Sequence, residues 1–104
     1  MIPPDAKSLL NFVRRAGLTI VGRNQMLRSR SNLHFVILAD ETSDRSRAEI
    51  LKDFAPYPIV GGITEAEIQE AFGLNGTRVL GIAKSDLAKS LYQHLKSQRI
   101  NKPD

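Results

Sequence analysis

Leu18-Thr-Ile-Val-Gly-Arg-Asn-Gln-Met-Leu-Arg-Ser-Arg30 runs from a β-branched stretch through a glycine into a helix-prone, basic segment. Thr19, Ile20 and Val21 favour extended backbone. Gly22 breaks that run and lets another backbone come close. A strand that turns at a glycine straight into a helix is the unit from which an α/β domain is built. The same junction is a place to hold phosphate, because the unpaired amides at a helix start favour an anion. Asn24, Gln25 and Arg28 add amide and guanidinium groups of the kind that read base edges and backbone oxygens. Four-residue spacing puts Asn24 and Arg28 on one helix face. The segment therefore has two readings: an RNA-facing edge, or a plain strand-to-helix turn in which Gly22 or Asn24 serves as the cap.

Outward from this junction, helix and strand signals alternate. Leu9, Leu10, Val13 and Ala16 fall on helical spacing after Asp5, and Gly17 supplies a stop, which predicts a helix over about 5–16. A strand follows at 18–21, and a helix starts near Arg23, turns Met26 and Leu27 inward and ends before Ser31-Asn32. His34 to Ala39 is a continuous apolar run too short for an independent helix, so it predicts the buried central strand. Ser43 and Asp44 cap a helix reaching Phe54, with Ala48, Ile50, Leu51 and Phe54 apolar, and Pro56 and Pro58 end it. Ile59-Val60 predicts a short strand closed by Gly61-Gly62. Thr64 and Glu67 spell a capping box ahead of Ile68, Ala71 and Phe72, and Gly73 can end that helix. Val79 to Ala83 is the fourth strand; Ser85 then caps a helix with Leu87, Ala88, Leu91 and Leu95 as its stripe. The alternation predicts a single-domain, three-layer α/β/α sandwich around a sheet of about four strands. Its core is expected over about 5–97, with 98–104, and Arg99 onward above all, a loose tail.

Composition excludes several classes. At 104 residues the chain is long enough for one real core and too short for two. The absence of cysteine removes disulfides, zinc–thiolate sites and thiol catalysis together. The opening Met-Ile-Pro-Pro-Asp-Ala-Lys has no apolar run of signal-peptide length, and no later run approaches the roughly 20 residues that span a bilayer. A soluble, cytoplasmic protein is expected. Net charge is +4, but residues 1–34 carry +5, residues 35–70 carry −5 and residues 71–104 carry +4. A fold that joins the two basic thirds presents a positive side with the acidic middle elsewhere; a solvated, mixed-sign surface accounts for the same counts.

No catalytic set stands out. Glu65, Glu67 and Glu70 lie within about one helical turn, a spacing suited to capping and solvation. Asp40 and Glu41 follow the central strand, yet no second acidic cluster or phosphate-binding glycine motif accompanies them, and Gly61-Gly62 is no nucleotide fingerprint. His34 and His94 are isolated. No enzyme activity, cofactor or metal site is expected.

Several landmarks occur in a familiar order: Leu-Leu-x-x-x-Arg-Arg-Ala-Gly at 9–17, Gly-x-Asn-Gln with Arg28 one turn on at 22–28, and Phe-Val-Ile-Leu-Ala-Asp-Glu at 35–41. Glu-x-x-Ile-x-x-Ala-Phe-Gly at 65–73 and Val-Leu-Gly-Ile-Ala at 79–83 complete the series. Over roughly residues 8–96 this order resembles the kink-turn RNA-binding superfamily of small ribosomal proteins known as L-seven-Ae and L-thirty-e, and within it the bacterial YlxQ-like proteins. The resemblance implies a mixed sheet with helices on both faces, and a non-enzymatic protein that binds structured RNA, ribosomal RNA being one candidate. It implies that Gly22, Arg23, Asn24, Gln25 and Arg28 approach the tandem sheared G·A pairs of a kink-turn. Gln25 stands where the family more often has an acid, and Arg23 where a smaller residue is usual. It further implies that Leu74-Asn75-Gly76-Thr77-Arg78 meets the flipped-out nucleotide, with Leu74 as the apolar contact, Asn75 in the loop and Arg78 on phosphate. By residue chemistry alone, the same loop is a tight Asn-Gly turn into the fourth strand.

Arg14, Arg15, Arg28, Arg30 and Lys84 can extend a phosphate-binding surface, although a helix C-terminus by itself suits Arg14-Arg15. Two rival functions follow from the same chain. One is a protein-interaction module of this fold, with a protein partner or a homodimer; the other is a small-molecule-binding α/β domain or a piece of a larger enzyme such as an RNA methyltransferase.

Overall fold

Leu33–Ala39 forms the strand on which the rest is assembled, β2. All of its residues except His34 are buried, as a strand covered on both faces requires. The computed structural model describes residues 1–102. The other strands are β1 (Thr19–Val21), β3 (Ile59–Ile63) and β4 (Val79–Ala83). They form one sheet in the order β1-β4-β2-β3, with β4 antiparallel to both β1 and β2, and β3 parallel to β2. The sheet is therefore mixed. A parallel pair needs a crossover, and α3 (Asp44–Asp53) supplies it.

The remaining helices are α1 (Lys7–Arg15), α2 (Arg23–Arg28), α4 (Glu65–Phe72) and α5 (Asp86–Leu95). Helices α1, α4 and α5 cover one face, where Leu10, Val13, Ile68, Phe72 and Leu91 pack on Phe35, Ile37, Leu80 and Ile82. Helices α2 and α3 cover the other, where Met26, Ile50 and Phe54 pack on Ile20, Val36 and Leu38. Each fully buried side chain of this size contributes about 1.5–3 kcal/mol of transfer free energy. The two cores make the expected three-layer sandwich.

Local signals fix the helix starts. Ser43 accepts the Ser46 amide at 3.2 Å and Ser85 the Ala88 amide at 3.0 Å. Thr64 and Glu67 close the capping box reciprocally, at 3.1 and 3.0 Å. Gly73 ends α4 in the left-handed conformation.

Four expectations are corrected. A 3₁₀ turn over Pro4–Ala6 replaces the first turn of the predicted opening helix, whereas α2 ends at Arg28, ahead of Ser31-Asn32 as expected, and a second 3₁₀ turn spans Arg30–Asn32. Ala48 is exposed, because α3 turns Ile50 and Phe54 to the sheet instead. Strand β3 does not close at Gly61-Gly62 but runs through them to Ile63. Pairing with β2 carries it on, past a register shift, until Ile63 stands opposite Ala39; in the fourth correction, the segment expected to be loose is docked on the outer edge of β3. Arg99 pairs with Val60, and the Ile100 amide donates to the Ile59 carbonyl at 2.8 Å. A Cβ on Gly61 would lie 3.0 Å from the Ile100 side chain, so the glycine marks a close approach rather than a strand end. Asn101 locks the segment, accepting the Ile59 amide at 2.8 Å and donating to the Tyr57 carbonyl at 2.7 Å. An edge strand left with free amides invites pairing, and this segment covers them. Pro103 and Asp104, the end of the expected tail, lie outside the described residues.

Two outcomes follow. Asn101→Ala removes paired, part-buried hydrogen bonds and is expected to lower unfolding free energy by about 1–3 kcal/mol in urea denaturation; an unchanged midpoint would mean the segment is undocked in solution. Glu67 is the acid-sensitive group. Partial burial opposes its charge, but the Thr64 and Ile2 amides and the amino terminus outweigh that and hold its pKa below the ordinary carboxylate value. A carboxylate whose folded pKa is depressed adds stability above its unfolded pKa and loses it as pH falls through the folded value. Glu67→Gln, which keeps an acceptor for Thr64, is therefore expected to flatten the loss of stability below about pH 4.5, read from urea midpoints at successive pH values.

Candidate nucleic-acid interface

Strand direction decides which loops meet. Because β4 is antiparallel to its neighbours, Val21 lies opposite Leu80 and Leu38 opposite Val79, while Ala39 pairs with Ile63. The end of β1, the ends of β2 and β3 and the start of β4 thus share one edge of the sandwich. The start of α2 and the 74–78 loop converge there.

Gly22 caps α2 at φ 86° and ψ 151°, a region that only glycine occupies readily. A Cβ there would meet nothing within 4 Å, so the demand comes from the backbone alone. The Gly22 carbonyl accepts the Met26 amide at 3.0 Å. Among the described residues, the amides of Arg23, Asn24 and Gln25 have no acceptor and remain open at the surface. Gly22, not Asn24, is the cap.

Met26 is buried in the α2–α3 core, and Asn24, Gln25 and Arg28 are exposed. Asn24 and Arg28 make no side-chain hydrogen bond or ion pair among the described residues, whereas the Gln25 amide lies 3.5 Å from the Ser29 hydroxyl. Arg23 behaves differently. Its guanidinium donates to Asp53 at 2.9 Å and to Glu49 at 2.9 Å, bracing α2 against α3. The Asp53 hydrogen bond, joined by the charges of Asp53 and Glu49, raises its pKa further above neutral.

In the second region Leu74 is half-buried and packs on the core beneath α1, α4 and α5, so it anchors the loop. Asn75 and Gly76 form the exposed turn, with Gly76 at φ 72°. Arg78 donates to Glu65 at 3.2 Å while its side chain stays 55% exposed, leaving guanidinium edges free for a further partner.

A hollow of about 200 Å³ joins the two regions. Arg23, Arg78 and Val79 line it together with Thr42, Ser43 and Ser46 from the connection into α3. Sequence reasoning missed these three hydroxyls. Their position just beyond the carboxyl end of the central strand was the available signal, since α/β sheets place binding groups there.

The flanking cations divide. The Arg14 guanidinium lies over Gly73 at the carboxyl end of α4, where a cation suits the helix dipole. Lys84 sits at the opposite end of the sheet, its amide bonded to the Asn32 carbonyl at 2.8 Å, so it and neighbouring Arg30 do not extend this edge. The two acids after β2 are taken up structurally: Asp40 accepts the Gly62 amide at 3.1 Å and Glu41 the Glu65 amide at 2.9 Å. Among the described residues no three metal-ligating side chains gather, and no helix is long and apolar enough to cross a membrane.

No protein-family profile matches the sequence, and no curated protein does. In fold the chain is similar to a protein of unknown function from Bacillus halodurans, at 17% identity and a TM-score of 0.80, covering 90% of this chain and 99% of that one. It is also similar to the 15.5kD RNA-binding protein of Giardia lamblia, at 19% identity and a TM-score of 0.66, covering 88% of this chain and 82% of that one. At these identities the likeness is one of fold.

Gly22→Ala forces a side chain onto a glycine-only backbone and is expected to cost about 1–3 kcal/mol of stability by urea denaturation. Wild-type stability in that variant would show that the strand-to-helix junction has a different backbone in solution.

Proposed function

We propose that this chain is a non-enzymatic, cytoplasmic RNA-binding protein of the YlxQ-like kind, recognising structured, kink-turn-like RNA, with ribosomal RNA as one candidate. The observation that carries the reading is the pairing of three open amides at Arg23 to Gln25 with the free side chains of Asn24 and Arg28, on a fold shared with an RNA-binding protein.

In this reading the open amides and Arg28 receive backbone phosphates, while Asn24 and Gln25 address base edges. A guanine edge offers two donors; each side-chain amide supplies one acceptor oxygen, so Asn24 and Gln25 together can satisfy what a single carboxylate otherwise would. Leu74 holds the second loop in place, Asn75 and Gly76 approach the RNA at its tip, and Arg78 adds a cation. The hydroxyl-lined hollow between Arg23 and Arg78 receives polar atoms of an unstacked nucleotide. Arg23 contributes by fixing α2 rather than by touching phosphate. Recognition of this kind depends on RNA shape more than on linear sequence.

A second reading has its own observation. The outer edge of β1 is unpaired among the described residues and carries Val21 at 40% exposure, which suits a protein partner or a homodimer. Light scattering across a concentration series separates this alternative from a monomeric RNA binder.

The test is a titration against a labelled kink-turn RNA and against the same RNA with its tandem G·A pairs replaced by Watson–Crick pairs, at two salt concentrations. The intact motif is expected to bind at least about tenfold more tightly at both, and Asn24→Ala/Arg28→Ala to lose about 1–3 kcal/mol per contact with unfolding unchanged. Equal affinity of the double variant would remove the site assignment. Equal, steeply salt-dependent binding to both RNAs would reduce the interaction to charge attraction.

A further inference from the structure

The end of the sheet opposite the α2 junction holds a second hollow, of about 560 Å³, lined by His34, Lys84, Ser85, Asp86 and Lys89. Three elements build it: β2 gives His34, the turn after β4 gives Lys84 and Ser85, and α5 gives Asp86 and Lys89. The imidazole is held edge-on against Phe35 and Tyr92, with ring centres 5.7 and 5.9 Å away. Ser85 is occupied with the Ala88 amide and the Ala83 carbonyl. Lys84 and Lys89 are exposed, and among the described residues neither is ion-paired or hydrogen-bonded through its side chain; nor is Asp86. The charged groups facing the imidazole are thus two ammonium groups and one carboxylate, with Tyr92 as the remaining titratable neighbour. Folding makes no use of the two lysine charges.

We infer that this hollow binds a phosphate group, with Lys84 and Lys89 supplying charge and the fixed His34 ring a directed N–H donor. Lysine acts on phosphate as a mobile point charge, and an imidazole held by two rings supplies the orientation that lysines lack. A phosphodiester of RNA and a free phosphate monoester present the same chemistry to these side chains. Neither Asn24 nor Arg28 takes part, so the site stands or falls independently of kink-turn recognition.

His34 reports occupancy. Partial burial, then the charges of Lys89 and Lys84, hold its pKa below the ordinary histidine value. A bound anion offsets the lysines and must raise it. The chain contains only one other histidine, His94, which is exposed on α5 and serves as the internal reference.

The experiment follows the ring signals of both histidines by NMR across a pH titration of the full chain. It is run in chloride, in inorganic phosphate at equal ionic strength, and with a short single-stranded RNA lacking terminal phosphates. The His34 midpoint is expected to rise by about one pH unit with at least one phosphate probe while that of His94 stays in place. Lys84→Ala/Lys89→Ala is expected to raise the midpoint in chloride and abolish the response to phosphate. A response to inorganic phosphate alone identifies a free monoester as the ligand source, and a response to RNA alone identifies a phosphodiester. No movement with either probe, or equal movement of both histidines, would overturn the site.

Discussion

The candidate interface rests on one packing contact, Met26 lying over Gly81. A helix of six residues has no stability of its own in water, so α2 persists because Met26 is fully buried against the sheet. Gly81 makes the seat possible. A Cβ there would run into the Leu33 side chain and come within 3.4 Å of Met26 Cγ and 3.6 Å of Ile20 Cβ. With Met26 pointing inward, the 100° step of the helix turns Asn24 and Arg28 outward together. The exposed face follows from the buried one, and the Arg23 link to Asp53 and Glu49 fixes the same helix from the α3 side.

Charge is distributed by the same logic. The acidic middle third of the sequence becomes α3 and α4, whose Glu49, Asp53 and Glu65 engage Arg23 and Arg78. Such exposed pairs contribute little to stability, but they neutralise two of the arginines nearest the loop edge. What remains there for a ligand is a set of open amides, two carboxamides, Arg28 and the unengaged edge of the Arg78 guanidinium. Discrimination by such groups comes from geometry at base edges and phosphates more than from the net charge of +4.

The elements legible in the sequence were those with local causes. Ser43, the Thr64–Glu67 box and Ser85 each satisfy an amide three residues on, and the buried run of β2 needs no distant information. The outward display of Asn24 and Arg28 could be read from helical spacing about Met26. Illegible features depend on residues far apart in the chain. Gly61 resembles a strand stop until Ile100 is seen packed against it, and Asn101 resembles loose tail until its bonds to Ile59 and Tyr57 close the β3 edge. Arg23 resembles a free cation until α3 brings Asp53, thirty residues on, within hydrogen-bonding range. Leu74 reads as a ligand contact until it is seen packed inward, and the hydroxyls of Thr42, Ser43 and Ser46 join the edge only because the end of β2 lies beside the start of β4.

Whether RNA contacts the edge shared by the start of α2 and the loop before β4 is read by mapping amide chemical-shift changes on adding a kink-turn RNA to the isotopically labelled chain. The largest changes are expected on Gly22 to Arg28 and on residues 74–79, with the Thr42 to Ser46 connection following. Changes concentrated on the outer surfaces of α1 and α4, or on the β3 edge covered by Arg99 to Asn101, would contradict that contact.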